Sequence, residues 1–79
     1  MAASSSLPLL VVQVLDRLPD PPGVFTLRGV ATALADVRTL GVDGATEATP
    51  EGVLGELLRA EVVSGAAGRY VVHPDARPL

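Results

Sequence analysis

The carboxy-terminal stretch EVVSGAAGRYVVH, residues 61–73, decides the fold class of this chain. Two runs rich in β-branched residues, 61–64 and 69–73, flank the small residues GAAG at 65–68. β-Branched side chains favour extended backbone, and glycines supply the backbone freedom that a chain reversal needs. The pattern predicts a terminal β-hairpin with a four-residue turn at residues 65–68.

A helix is predicted immediately before the hairpin, from Thr49-Pro50-Glu51 to about Arg59. Threonine accepts hydrogen bonds from the free amides at a helix start, proline fits the first helical position, and glutamate suits the positive end of the helix dipole. The spacing predicts an inward aliphatic face consisting of Val53 or Leu54, Leu57 and Leu58. The outward face is predicted to carry charged residues and two glycines: Glu51, Gly52, Gly55, Glu56 and Arg59.

A second helix is predicted over residues 27–40, where aliphatic residues recur at helical spacing. Thr26 is placed to cap its start, and Gly41 is placed to end it. Residues 23–26 are long enough for one short edge strand at most. Residues 42–48, between the second and third helices, show no periodicity and are predicted to form a loop.

A first helix is predicted from six aliphatic residues at helical spacing: Leu7, Leu10, Val11, Val14, Leu15 and Leu18. We expect Ser6 to cap this helix and Pro8 to occupy its first turn. Pro19 is expected to stop it, since proline disrupts a helix interior.

Length and composition indicate a single domain. The chain has 79 residues, of which 48% are apolar, so it can bury one core. We assign the domain to residues 7–73 and expect flexible tails at 1–6 and 74–79.

The absence of cysteine excludes disulfides, zinc ribbons and cysteine nucleophiles. The apolar run after Ser6 lacks a basic residue before it and a cleavage site after it, and it is too short for a bilayer span, so we expect a cytoplasmic protein without membrane contact.

The order helix, short strand, helix, helix and hairpin resembles the winged helix, a helix-turn-helix variant whose terminal hairpin is the wing. The resemblance covers about residues 7–73 and rests on FTLRGVATAL at 25–34 and on residues 54–72. It implies a small α+β fold with three helices, a short edge strand and a two-stranded C-terminal wing. The sequence departs from the family in the seven residues between Gly41 and Thr49, where three or four are usual. Either this loop holds an extra turn or the second helix runs differently.

The resemblance implies one possible function, a dimeric DNA-binding transcriptional regulator whose third helix enters the major groove. Arg28 and Arg69 match positions where family members touch the DNA backbone, and Arg59 is the donor on the third helix. The chain has six arginines, no lysine, a net charge of -3 and a pI near 4.8, which disfavours phosphate contact. Glu51 and Glu56 would also face the phosphates unfavourably. Arg28 and Arg69 are otherwise solubilising surface residues.

The leading hypothesis is a non-enzymatic module that mediates protein–protein interaction or assembly. The predicted interface consists of Leu9, Val12, Gly52, Gly55 and Glu56. Its glycines let another backbone approach the third helix closely, and its aliphatic residues add apolar surface on the first helix. The alternative to an interface role for Leu9 and Val12 is that both side chains pack beneath residues 19–25. The partner is predicted to be another protein or a second copy in a homodimer, since a small core without metal or disulfides often gains stability by oligomerising.

No group of residues predicts catalysis, a metal site or a cofactor. A nucleophile with its base or a metal cluster needs several groups that converge. The one histidine, His73, is predicted to be a surface residue where the hairpin enters the tail. No glycine-rich loop between a strand and a helix offers a phosphate cradle, and no small-molecule ligand is predicted.

Overall fold

Helices and strands follow one another in the predicted order in the computed structural model, which describes residues 7–75. The elements are α1 (Leu9–Asp16), β1 (Val24–Phe25), α2 (Leu27–Thr39), α3 (Pro50–Arg59), β2 (Val63–Ala66) and β3 (Arg69–Val72). The α+β class, with three helices, a short edge strand and a terminal hairpin, is confirmed, and the arrangement is that of a small winged-helix-like fold. The predicted tail at 1–6, and residues 76–79 of the other tail, lie outside the described residues.

The three strands form one antiparallel sheet in the order β1-β3-β2. Val24 pairs with Val71 and Phe25 with Tyr70, while β2 pairs with β3 along its whole length. Because side chains alternate between the two faces of a strand, pairing partners share a face. The face toward the helices carries Phe25, Val63, Tyr70 and Val72, and the opposite face carries Val24, Ser64 and Val71.

The hairpin turn is shorter than predicted. Ala66 pairs with Arg69, so Ala67 and Gly68 form a two-residue turn, and the predicted four-residue turn at 65–68 is wrong. Both turn residues have positive φ, 56° and 84°. This combination is typical of a type I′ turn, whose twist matches that of paired strands. Composition does not reveal it because alanine rarely adopts the left-handed conformation.

The core lies between the helices and the inner face of the sheet. Its most deeply buried side chains are all aliphatic: Val14, Val30, Leu34, Val37, Leu57 and Val72. Residues 7–75 include no buried polar or charged residue. Leu58 was predicted to face inward, and this is wrong, since it is 37% exposed. A helix turns by about 100° per residue, so when Leu57 points into the core its neighbour points to the side.

The first helix is shorter than predicted. α1 begins at Leu9, because Pro8 adopts an extended ψ of 149° and stands at the N-cap position instead of in the first turn. Leu7 therefore precedes the helix, and the predicted cap Ser6 lies outside the described residues. Leu18 follows the end of α1 but remains buried, so it belongs to the core as predicted.

The predicted helix ends of α2 and α3 are largely confirmed. Thr26 occupies the N-cap of α2 but makes no capping hydrogen bond through its side chain. Leu40 is the C-cap of α2, and Gly41 follows it with a φ of 72°, the left-handed conformation that glycine adopts at low cost. At α3, the Thr49 hydroxyl oxygen accepts a hydrogen bond of 3.0 Å from the amide of Gly52.

The connection at residues 42–48 is folded and contains an extra turn. The amides of Ala45 and Ala48 donate to carbonyls three and four residues earlier. Arg38 reaches this turn from α2: its Nε donates to the Ala45 carbonyl at 2.8 Å and its Nη2 to the Ala48 carbonyl at 2.6 Å. Of the two explanations offered for the long connection, the extra turn within the loop is thus correct. Arg38 fixes this turn to the preceding helix.

Candidate interaction surfaces

An open groove of about 550 Å³ runs between α3, the amino end of α2 and the hairpin. We call it the hairpin groove and define it by its lining residues: Thr26, Leu27, Arg28, Glu51, Leu54, Gly55, Leu58, Gly68 and Tyr70. Leucine, glycine and tyrosine make up most of this lining. The groove therefore offers apolar contact together with one cationic and one anionic side chain.

One face of α3 forms the floor of the hairpin groove. Glu51, Leu54, Gly55 and Leu58 recur at i, i+3, i+4 and i+7, so they share one face of the helix. The interface predicted from the sequence contains Gly55 but neither leucine, because leucines at this spacing were assigned to the core. The signal for Leu58 was present in the same spacing, which places it seven residues after the exposed Glu51.

Tyr70 forms the hairpin side of the groove. Its side chain is on the inner face of β3 and is half-buried. The ring lies 5.8 Å from that of the buried Phe25 with a tilt of 34°, a favourable aromatic arrangement. The contact orients the tyrosine ring beside the groove.

The two glycines of α3 have different surroundings. Apart from the helix's own backbone, a Cβ at Gly55 would approach only Nη2 of Arg59 within 4 Å, at 3.9 Å. A Cβ at Gly52 would lie 3.0 Å from the hydroxyl oxygen of Thr49, which is tight. Gly52 is therefore constrained by the helix cap. Gly55 is not, and its missing side chain leaves the hairpin groove open.

The structure does not bring the predicted interface residues together. Gly52 and Glu56 line a second groove, between α3 and the amino end of α1, and not the hairpin groove. Gly55 lines the hairpin groove. The two glycines of α3 thus serve different surfaces.

Leu9 of α1 lines a groove that contains neither α3 glycine. Leu9 is 61% exposed and lines this groove with Leu40, which is 56% exposed. Packing of Leu9 beneath residues 19–25 is therefore wrong. Val12 is half-buried.

The three arginines proposed as DNA contacts have different environments. Arg28 lines the hairpin groove, whereas Arg59 and Arg69 do not. Nη2 of Arg59 lies 3.5 Å from a carboxylate oxygen of Glu56 in an exposed ion pair. Within residues 7–75, the side chains of Arg28 and Arg69 form no ion pair or hydrogen bond. Two of the three cations are thus available for an external anion.

The described part of the chain contains neither a cluster of metal ligands nor a helix able to span a membrane. Residues 7–75 contain no group of three or more histidine, cysteine, aspartate or glutamate side chains able to hold a metal ion. His73 is exposed, and its backbone amide donates to the carbonyl of Val62 at 2.9 Å. None of α1, α2 and α3 combines the length and apolar character needed to cross a bilayer.

Comparison with known proteins adds no family assignment. No protein-family model, curated protein or solved structure matches this chain significantly. The α+β arrangement is consistent with a small winged helix, and membership of that family stays a prediction. What the chain binds is therefore inferred from its own surfaces.

Proposed function

We propose that this chain is a non-enzymatic module that binds another protein through the hairpin groove. The observation that carries the proposal is the apolar lining of that groove, in which Leu58 is 37% exposed and Tyr70 is half-buried. Exposed apolar residues that line a concave surface are typical of sites where a protein segment docks.

The occupant is a short amphipathic helix of the partner. Gly55 presents no side chain, so the backbone of such a helix approaches α3 closely while its aliphatic side chains enter the groove. Arg28 and Glu51 line the groove, and neither forms an ion pair within residues 7–75. A partner helix with an acidic residue near Arg28 and a basic residue near Glu51 complements both charges.

The second candidate is a dimeric DNA-binding regulator that uses Arg28, Arg59 and Arg69. The exposed and unpaired side chains of Arg28 and Arg69 favour it. Three observations count against it: Arg59 is paired with Glu56, Glu51 lies on the groove face of α3, and the net charge is -3. Phosphate contacts supply most non-specific DNA affinity, so an acidic surface weakens this candidate.

The test of protein binding uses a displayed library of random helical peptides. Gly55→Trp fills the groove at a position with room for a side chain, and Ala35→Trp places the same side chain on the exposed surface of α2. The wild type and Ala35→Trp are expected to select peptides with spaced aliphatic residues, and Gly55→Trp is expected to lose them. Far-UV circular dichroism checks that both variants are folded. Equal selection by all three proteins would refute the proposal.

The DNA candidate is tested by titrating a labelled non-specific duplex at low salt. The protein-binding proposal predicts no retained duplex. Retention that falls steeply as salt is added, and that is lost in Arg28→Ala together with Arg69→Ala, would replace it with the DNA candidate.

A further inference from the structure

We infer that a surface at the amino end of α1 binds a segment of a partner protein in which basic residues alternate with aliphatic ones. This α1 surface consists of the second groove, beside α3, and of the groove that Leu9 and Leu40 line. We call the latter the leucine groove and define it by its side chains: Pro8, Leu9, Leu10, Leu40, Val42 and Asp43. Neither groove shares a residue with the hairpin groove. The proposal therefore goes beyond the proposed function, and either can fail alone.

The leucine groove exposes two large aliphatic side chains. Leu9 and Leu40 are the most exposed large hydrophobic residues of the range 7–75, and Val42 is half-buried in the same groove. Leu9 begins α1 and Leu40 is the C-cap of α2, so the groove lies where these two helix ends meet. Its volume is about 580 Å³. Aliphatic side chains exposed in a concave surface favour an apolar occupant.

The second groove adjoins the leucine groove. Pro8 and Leu10 line both, so the two grooves meet at the amino end of α1. The second groove has a volume of about 350 Å³ and adds the side chains of Glu47, Ala48 and Glu56. A partner segment that passes over Pro8 and Leu10 therefore contacts both grooves.

The charges of the α1 surface determine which segment fits. Each groove has an exposed carboxylate that forms no ion pair within residues 7–75, Asp43 in the leucine groove and Glu47 in the second. No arginine lines either groove. Basic residues at two positions of the partner segment complement these carboxylates, while the aliphatic residues between them cover Leu9 and Leu40.

Two arginines contact residues of the second groove without pairing with Glu47. Arg38 donates to the carbonyl of Ala48, so a neutral group holds its guanidinium. Arg59 lies 3.5 Å from Glu56 in the exposed ion pair described above. Glu47 therefore remains available to a cation of the partner.

Other occupants complement the α1 surface less well. A second copy that docks through its own leucine groove brings the two Asp43 carboxylates toward each other, and neither lining supplies a cation. Residues 1–6 contain no basic side chain, and residues 76–79 contain one. Either of these segments would leave at least one of the two carboxylates unpaired.

The first experiment titrates dye-labelled synthetic peptides with the full chain and measures fluorescence anisotropy. The probe peptide alternates pairs of lysines with pairs of leucines. One reference peptide has glutamates in place of the lysines, and the other has alanines in place of the leucines. The probe is expected to bind at least about tenfold more tightly than either reference. Absence of probe binding, or equal binding of all three peptides, overturns the proposal.

The apolar contacts are tested by replacing exposed aliphatic residues with glutamine. The combination of Leu9→Gln and Leu40→Gln is expected to weaken probe binding at least about tenfold. Val24→Gln is the control, because Val24 is also exposed but lies on β1, outside both grooves. Far-UV circular dichroism checks that the variants are folded. Equal affinities of the leucine and valine variants overturn the proposal.

The charge contacts are tested at constant net charge. Asp43→Asn together with Glu47→Gln is expected to weaken probe binding about fivefold, since both contacts are exposed to solvent. Asp36→Asn together with Asp75→Asn removes the same number of charges at exposed positions outside both grooves, and is expected to leave the affinity unchanged. Equal weakening by the two pairs shows attraction to the overall charge only, and overturns the proposal.

Other results identify a different occupant and also overturn the proposal. A wild type that does not bind the probe, and that melts at a lower temperature when Leu9 and Leu40 are both replaced with glutamine, indicates that residues outside 7–75 cover the surface. A mass that doubles from 8.1 kDa with concentration, and no longer does so in that double variant, identifies a second copy.

The variant Gly55→Trp separates this proposal from the hairpin groove. Gly55 lines neither groove of the α1 surface, so Gly55→Trp is expected to bind the probe as tightly as the wild type. Weaker binding in Gly55→Trp would place the probe in the hairpin groove and overturn the proposal. In the displayed library, peptides that dock on the α1 surface are retained by Gly55→Trp, whereas those of the hairpin groove are lost.

Discussion

Replacing Arg38 with methionine is expected to lower the free energy of unfolding by about 2 kcal/mol. The substitution removes the two hydrogen bonds that join α2 to the carbonyls of Ala45 and Ala48, at 2.8 and 2.6 Å. A hydrogen bond from a charged donor contributes about 1.5–3 kcal/mol when shielded from water and less when exposed. The bond to Ala45 is partly buried and the bond to Ala48 is exposed, so the first dominates. Methionine keeps most of the aliphatic stem, so packing is largely retained.

Urea unfolding followed by far-UV circular dichroism measures the effect of the Arg38 substitution. In a domain of this size, a loss of about 2 kcal/mol lowers the melting temperature by roughly 8–16 °C. Arg38→Lys is the control: it keeps the charge, but a single ammonium group does not reach both carbonyls, so about half of the loss is expected. If the methionine variant unfolds within about 0.5 kcal/mol of wild type, the turn at 42–48 holds without Arg38 and the reasoning is refuted.

Four further substitutions test the helix ends and the α3 glycines by thermal unfolding. Gly55→Ala is expected to stabilise the protein by about 1 kcal/mol. Gly52→Ala is expected to stabilise it by less, because the new Cβ at position 52 would lie 3.0 Å from the Thr49 hydroxyl oxygen. Equal gains in stability from the two substitutions would contradict this reasoning. Glu61→Gly is expected to add about 1 kcal/mol, since Glu61 follows α3 with a φ of 63°; a loss would show that its side chain stabilises the fold. Thr49→Ala is expected to cost about 1 kcal/mol through the lost cap, and an unchanged melting temperature would disprove that role.

The helices and the hairpin could be predicted because their signals are local. Val30, Leu34 and Val37 repeat at helical spacing within one segment, and all three are fully buried in α2. The turn length was missed because it depends on Ala67 adopting a positive φ, which alanine does rarely. The start of α1 was misplaced because proline suits the first helical turn as well as the extended position that Pro8 occupies.

The candidate sites could be predicted only in part because they are assembled from distant segments. Arg28, Leu58 and Tyr70 come from α2, α3 and β3, and only the packed fold places them around one groove. The contact of Arg38 with residues 45 and 48 likewise depends on the path of the connecting loop. Helical spacing correctly placed Gly55 on the outer face of α3. The same spacing places Leu58 on the face of the exposed Glu51, but the aliphatic side chain of Leu58 favoured assignment to the core.

The position of Tyr70 provides an intrinsic optical probe. The chain contains one tyrosine and no tryptophan, and that tyrosine lines the hairpin groove. Ultraviolet emission of the unmodified protein, excited at wavelengths that Phe25 does not absorb, therefore originates from a single wall of this groove. A ligand that enters beside the phenol ring changes the signal directly, so affinities can be titrated without attaching a dye.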